Sequence, residues 1–280
     1  SIRFVARRGV MMTKRFGVLL LFVFCGSLHL NAGIFRSIAD YFTSTQRRSL
    51  GESLELEDGQ YFTGKHVVEG EGNAITLLDG GELIVDKKST LVLKNMTIKL
   101  VSQDNIKCMD DSGKIVLENV TWELDDTFFF DKGAIECADG EFVVRAAENV
   151  VTGESSEYPT FLYKSKVEST IKNNVTWKFD RVWFFHVPYN EQSSFVSFGG
   201  LNSKLLFKDC GIYVKDMEKF VEPKQVDCSG KVFLYKNTKD EFYEKYGVSE
   251  EAILLTRSFT NSSFETFYDV EDDEEHIEEV

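Results

Sequence analysis

Side-chain catalysis needs a nucleophile, a proton carrier or a metal cage, and this chain of 280 residues offers few of each. Its histidines beyond the first thirty residues are His66, His186 and His276, none inside an H-E-x-x-H string, and no G-x-S-x-G marks a nucleophile. The five cysteines contain no C-x-x-C pair, so neither zinc nor dithiol chemistry is indicated. What remains is carboxylates near arginines. Asp104, Asp110, Asp111, Asp125, Asp126 and Asp180 are the eligible acids, and Arg145 and Arg181 the eligible bases. Adjacent Asp residues on a strand point to opposite faces, so each pair supplies one carboxylate to a given face. No catalytic residue, metal ligand or cofactor is assigned from this set.

Aromatic residues, which can stack on ligands, are better supplied. Trp122-x-Leu124-Asp125-x-x-Phe128-Phe129-Phe130 aligns with Trp177-x-Phe179-Asp180-x-x-Trp183-Phe184-Phe185, 55 residues later. Recurrence makes these residues parts of a repeat, and alternation puts Trp122 and Trp177 on the side of Val120 and Val175, as core aromatics. The stretch after Phe185 does not recur. His186, Tyr189 and Asn190 in that added loop are therefore the candidate ligand-binding residues.

Positioning these groups falls to the repeat itself. A small residue followed by alternating apolar positions recurs at Ser89, Gly113, Gly140, Ser169, Ser203 and Gly230, with steps of 24, 27, 29, 34 and 27 residues. A second pattern starts at Asn95, Asn119, Asn174 and Asp209: one residue suited to a left-handed bend, then alternation such as Met96, Ile98 and Leu100 against Thr97 and Lys99. Each unit reads as strand, bend, strand. One unit cannot bury its apolar side, whereas stacked units share a continuous interior. Three of these Asn residues also fit the N-x-[ST] glycosylation pattern, but their coincidence with the bend favours a structural reason. Ile106-Lys107-Cys108 and Ile135-Glu136-Cys137 are expected to occupy matching places, stacking inward thiols. Beyond Cys25, Cys108, Cys137, Cys210 and Cys228 allow three full disulfide pairings, which stay open.

This organisation resembles the right-handed parallel β-helix of pectate-lyase-like proteins and many surface adhesins, over about residues 52 to 236. The stretch S-T-L-x-L-K-N-x-T at Ser89 to Thr97, with Gly140 to Gly153 and Ser169 to Phe179, is similar to signal-peptide-bearing repeat proteins of Dependentiae bacteria. The resemblance implies an all-β solenoid in a secreted bacterial protein. It also brings polysaccharide cleavage into view, by converging carboxylates or by a basic residue beside a uronate. The N-T-D, H-G and R-I-K strings of polygalacturonases are absent, and only acids gathered with Arg145 or Arg181 in one groove would favour that reading.

The flanks complete the expectation. Lys14 and Arg15, the apolar run Phe16 to Leu28 and the small and polar residues to Gly33 have the layout of a signal peptide over residues 1–32, of which 1–10 read as upstream translated sequence. Ile34, Phe35, Ile38, Tyr41 and Phe42 suit a capping helix over 33–50, and Thr238, Glu241, Gly247 and Ser249 suit capping helices over 237–268, the second running through Ile253 and Leu254. The solenoid lies between them, at 51–236. Residues 269–280 carry eight acids and read as a solvated tail. The net charge of −14 becomes −19 without residues 1–32, with 27 basic against 46 acidic residues. Such a balance disfavours nucleic-acid partners, and no second apolar run offers a transmembrane span. The expected protein is exported to the periplasm, the cell surface or beyond, with a binding or structural role. A polysaccharide or a surface protein is the expected partner, and a polysaccharide-active enzyme is the alternative.

Overall fold

Short alternating segments rich in Val, Ile, Leu, Thr and Phe favour strands, and the chain buries their apolar sides by coiling. The structure, a computed structural model, describes residues 45–148, 158–187, 194–214, 220, 225–229, 232–234 and 253–255. All of them belong to the second of two units, Ser1–Phe42 and Thr43–Val280. Among them there are strands and turns but no α-helix, and no helix able to cross a membrane.

The coils follow in chain order. The first holds β1 (Thr45–Ser49), β2 (Leu54–Leu56) and β3 (Gly59–Phe62); the second holds β4 (Lys65–Glu69), β5 (Ala74–Leu77) and β6 (Glu82–Val85). In the third, β7 (Thr90–Gln103) bends across two faces before β8 (Ile106–Cys108), and in the fourth β9 (Lys114–Phe130) runs through all three. The fifth has β10 (Ala134–Ala146) and β11 (Thr160–Tyr163), the sixth β12 (Ser169–Ile171), β13 (Thr176–Asp180) and β14 (Trp183–His186). The seventh has β15 (Val196–Phe198), β16 (Lys204–Lys208) and β17 (Gly211–Val214), followed by β18 (Val226–Ser229), β19 (Val232–Leu234) and β20 (Ile253–Leu255). Every pairing between coils is parallel, which gives a parallel β-solenoid of about seven turns with three faces.

Registered pairing sets residue over residue through the interior. One second-face column runs Ile75, Ile98, Trp122, Val144, Phe179, Phe207, and its neighbour runs Met96, Val120, Phe142, Trp177, Leu205. On the third face Phe128, Phe161, Phe184 and Ile212 form a column beside Phe130, Tyr163, His186 and Val214. These side chains are buried, and their rings meet edge-to-face or stacked, as with Trp122 and Phe142 at 4.9 Å or Phe179 and Phe207 at 5.3 Å.

Left-handed residues turn the corners. Asn95, Asn119 and Asn174, with φ of 49°, 55° and 62°, bend the chain from first to second face. Their amides form a ladder: Asn119 donates to Asn95 Oδ1 (3.1 Å), Asn95 to Glu69 Oε1 (2.8 Å), and Asn202 to Asn174 Oδ1 (2.8 Å).

Several sequence expectations change at this level. Asp209 (φ 51°) is left-handed too, but it turns the second–third corner, one coil beyond Arg181 (φ 56°). The small-residue anchors also mix corners, because Ser89, Gly113 and Ser169 open first-face strands whereas Gly140 and Ser203 open second-face strands. Trp122 and Trp177 sit in adjacent columns rather than one. Cys108 lies on the third face and Cys137 on the first, so these thiols do not stack; Cys108, Cys137, Cys210 and Cys228 are all free. At the ends, Thr45–Ser49 pairs with β4 and Ile253–Leu255 with β19, so both segments are strands where caps were expected helical. Residues 34–42, 238–249 and 269–280 lie outside the described residues.

Candidate binding surface

His186 is fully buried, with ring centroids 6.1 Å from Tyr163, 5.7 Å from Phe195 and 5.9 Å from Phe220. Strand β14 continues through it and aims it inward, so it is a core residue and not part of a surface loop; Tyr189 and Asn190 lie outside the described residues. Trp122 and Trp177 are also core. Their indole Nε1 groups have no hydrogen-bond partner among the described residues, and the Trp122 ring meets Phe128 and Phe142 at 74° and 78°, close to edge-on. Of the eligible acids, Asp104 pairs with Lys107 (3.2 Å) and Asp111 with Lys166 (2.6 Å). Among the described residues no three His, Cys, Asp or Glu gather as a metal site.

What the coil does bring together is Asp180 with both candidate arginines. Glu123, Arg145, Asp180 and Lys208 occupy one outward row on successive coils of the second face. Arg145 bonds Glu123, while Asp180 receives Arg181 Nε at 3.3 Å, Lys178 Nζ at 3.4 Å and Lys208 Nζ at 3.7 Å. The side chains are layered: Asp180 and Glu123 are 13% and 14% exposed and Lys178 21%, whereas Arg145, Arg181 and Lys208 are 40%, 38% and 48% exposed. The carboxylates form a floor with Lys178 beside them, and the heads of Arg145, Arg181 and Lys208 meet the solvent. Sequence reading missed Lys208 because it comes from the next coil, where only the correct register places it, and missed Lys178 although strand alternation sets it on the same outward side as Asp180.

An aromatic ledge adjoins the cations around the second–third corner. Leu162, Trp183 and Phe185 lie on the side of the third face away from the coil interior but are buried, and the partly exposed Phe129, Tyr158, Val187 and Tyr213 pack on them. Tyr158 joins the two features. Burial, then the nearby Asp209, raises its phenol pKa, and Arg181 pulls it the other way. The partly exposed rings of Phe129, Tyr158 and Tyr213 beside fixed cations suit a sugar ring that carries acidic or hydroxyl groups.

The first face has its own groove, of about 620 Å³, floored by Val67, Val92 and Val116. Its acids are engaged: Glu118 with Lys94 (2.5 Å), Glu136 with Lys114 (3.0 Å) and Lys172 (3.6 Å), and Glu69 with Asn95. Lacking an aromatic lining, it offers a ligand less than the corner does.

Comparison of the sequence with protein-family models, with curated proteins and with solved structures finds no match. The fold and its surface therefore carry the functional reading.

Proposed function

We propose that this is an exported bacterial binding protein, a right-handed parallel β-helix of the pectate-lyase-like or adhesin-like kind, whose second–third corner holds a polysaccharide. The observation that carries this reading is the joining of the cationic row over Asp180 to the aromatic ledge through Tyr158. A parallel solenoid repeats its surface about every 5 Å along the axis, so an extended polymer can follow it. Export rests on the signal-like residues 1–32, and a bacterial source on the repeat's likeness to Dependentiae proteins. The outward row of β-strand side chains is held by registered backbone, which lowers the ordering cost on binding.

The enzymatic alternative has one specific support, since Asp180 stands with Arg145 and Arg181 at one place. One experiment separates the readings: incubation with calcium and a panel of acidic and neutral polysaccharides, followed by mass spectrometry and co-sedimentation. Co-sedimentation without fragments supports the binding protein, new unsaturated or reducing-end fragments support the enzyme, and neither result rejects both.

A further inference from the structure

The corner has a second candidate occupant within the same chain. Residues 269–280 carry eight carboxylates and no Lys or Arg, on a chain of net charge −14. The corner carries a local excess of cations. Four cations (Arg145, Lys178, Arg181, Lys208) face three acids (Glu123, Asp180, Asp209), and Asp180 and Glu123 lie beneath the cationic heads. We propose that the acidic segment Asp269–Val280 docks on this corner and competes there with the external ligand.

Reach permits the contact. Strand β20 pairs with β19 and β19 with β17, so Leu255 stands two ladder steps, about 10 Å along the axis, from the coil that carries Lys208. The 13 residues between Leu255 and Asp269 can extend about 45 Å. A tethered segment acts at an effective concentration of about millimolar, so modest intrinsic affinity suffices for occupancy. The contact is made of exposed charges and weakens with salt beyond a Debye length of about 8 Å at physiological ionic strength. Competition rests on the ligand reading above, whereas docking itself requires only that the corner accept anions.

The test uses a labelled synthetic peptide of residues 269–280 and a full-length chain whose segment acids are changed to Asn and Gln. Docking predicts that this neutralised chain binds the peptide at least tenfold tighter than the unaltered chain. Lys178→Gln with Lys208→Gln in the neutralised chain should abolish that gain. In the unaltered chain, zero-length carbodiimide cross-links should join the segment to Lys178 and Lys208 and disappear in half-molar salt. Equal peptide binding by the two chains, or cross-links spread evenly over surface lysines, would overturn docking. Because neither readout contains a polysaccharide, failure of the ligand reading leaves this result interpretable; tail neutralisation leaving polysaccharide binding unchanged would overturn the competition.

Discussion

Single residues here are fixed by backbone conformation and by burial, and each gives a measurable consequence. Asn119 holds φ 55° at a corner, where a side chain with a Cβ and no local hydrogen bond is strained. Asn119→Ala should cost about 1–2 kcal/mol in urea unfolding and Asn119→Gly less; equal losses would assign the effect to the amide ladder instead. His66 is buried, donates from Nε2 to Thr63 O (2.9 Å), and has its pKa lowered below 6.5 chiefly by burial, with Arg48 adding to the effect. The unfolded chain therefore binds the proton more readily than the folded one. His66 contributes full stability above about pH 6.5, and that contribution is lost as pH falls through its folded pKa. Comparing wild type with His66→Gln between pH 7.5 and 4.5 should show a shallower acid loss in the variant. Burial also pushes the Cys108 and Cys210 thiols up to about 12, so both should resist thiol reagents until the chain unfolds.

At the scale of strands, packing between coils is unforgiving where a glycine accepts an aromatic ring. A Cβ on Gly211 in β17 would lie 1.9 Å from the Trp183 ring of β14. Gly211→Ala should destabilise by about 1–3 kcal/mol and lower protection of the β14–β17 amides in hydrogen exchange; unchanged stability would show that the ring can move aside. The strands themselves were legible in the sequence, because inward and outward residues alternate through Met96 to Lys99 and Phe142 to Arg145. The left-handed corners at Asn95, Asn119 and Asn174 were legible for the same local reason. Coil register was not, because Gly and Ser open strands at more than one corner, and coil lengths differ: Lys65, Thr90 and Lys114 are stacked at steps of 25 and 24 residues, but Glu136 meets Thr170 at 34. A one-residue slip in the aromatic alignment left His186 out of the core, matching strands from different faces stacked Cys137 on Cys108, and grouping corners of different kinds misplaced Asp209.

Across the whole molecule, a solenoid converts register into surface, since residues 35 or 28 positions apart become neighbours, as Arg145 and Lys208 do around Asp180. That is why the cationic corner was only half visible in the sequence: Asp180, Arg145 and Arg181 were singled out, but the coil supplied their juxtaposition. Asp180→Asn should weaken the row, costing about 2 kcal/mol from lost charge-assisted bonds, while raising affinity for an acidic polysaccharide because the floor loses its negative charge. A fall in both would make the carboxylate a ligand contact. The most direct measurement is hydrogen–deuterium exchange of the protein with and without the polysaccharide that co-sediments with it. Protection centred on β13, β14, β16 and β17, and weakened by Lys178→Gln with Lys208→Gln, is the predicted result. Protection centred on β4, β7 and the first-face groove, or none at all, would contradict a binding surface at the second–third corner.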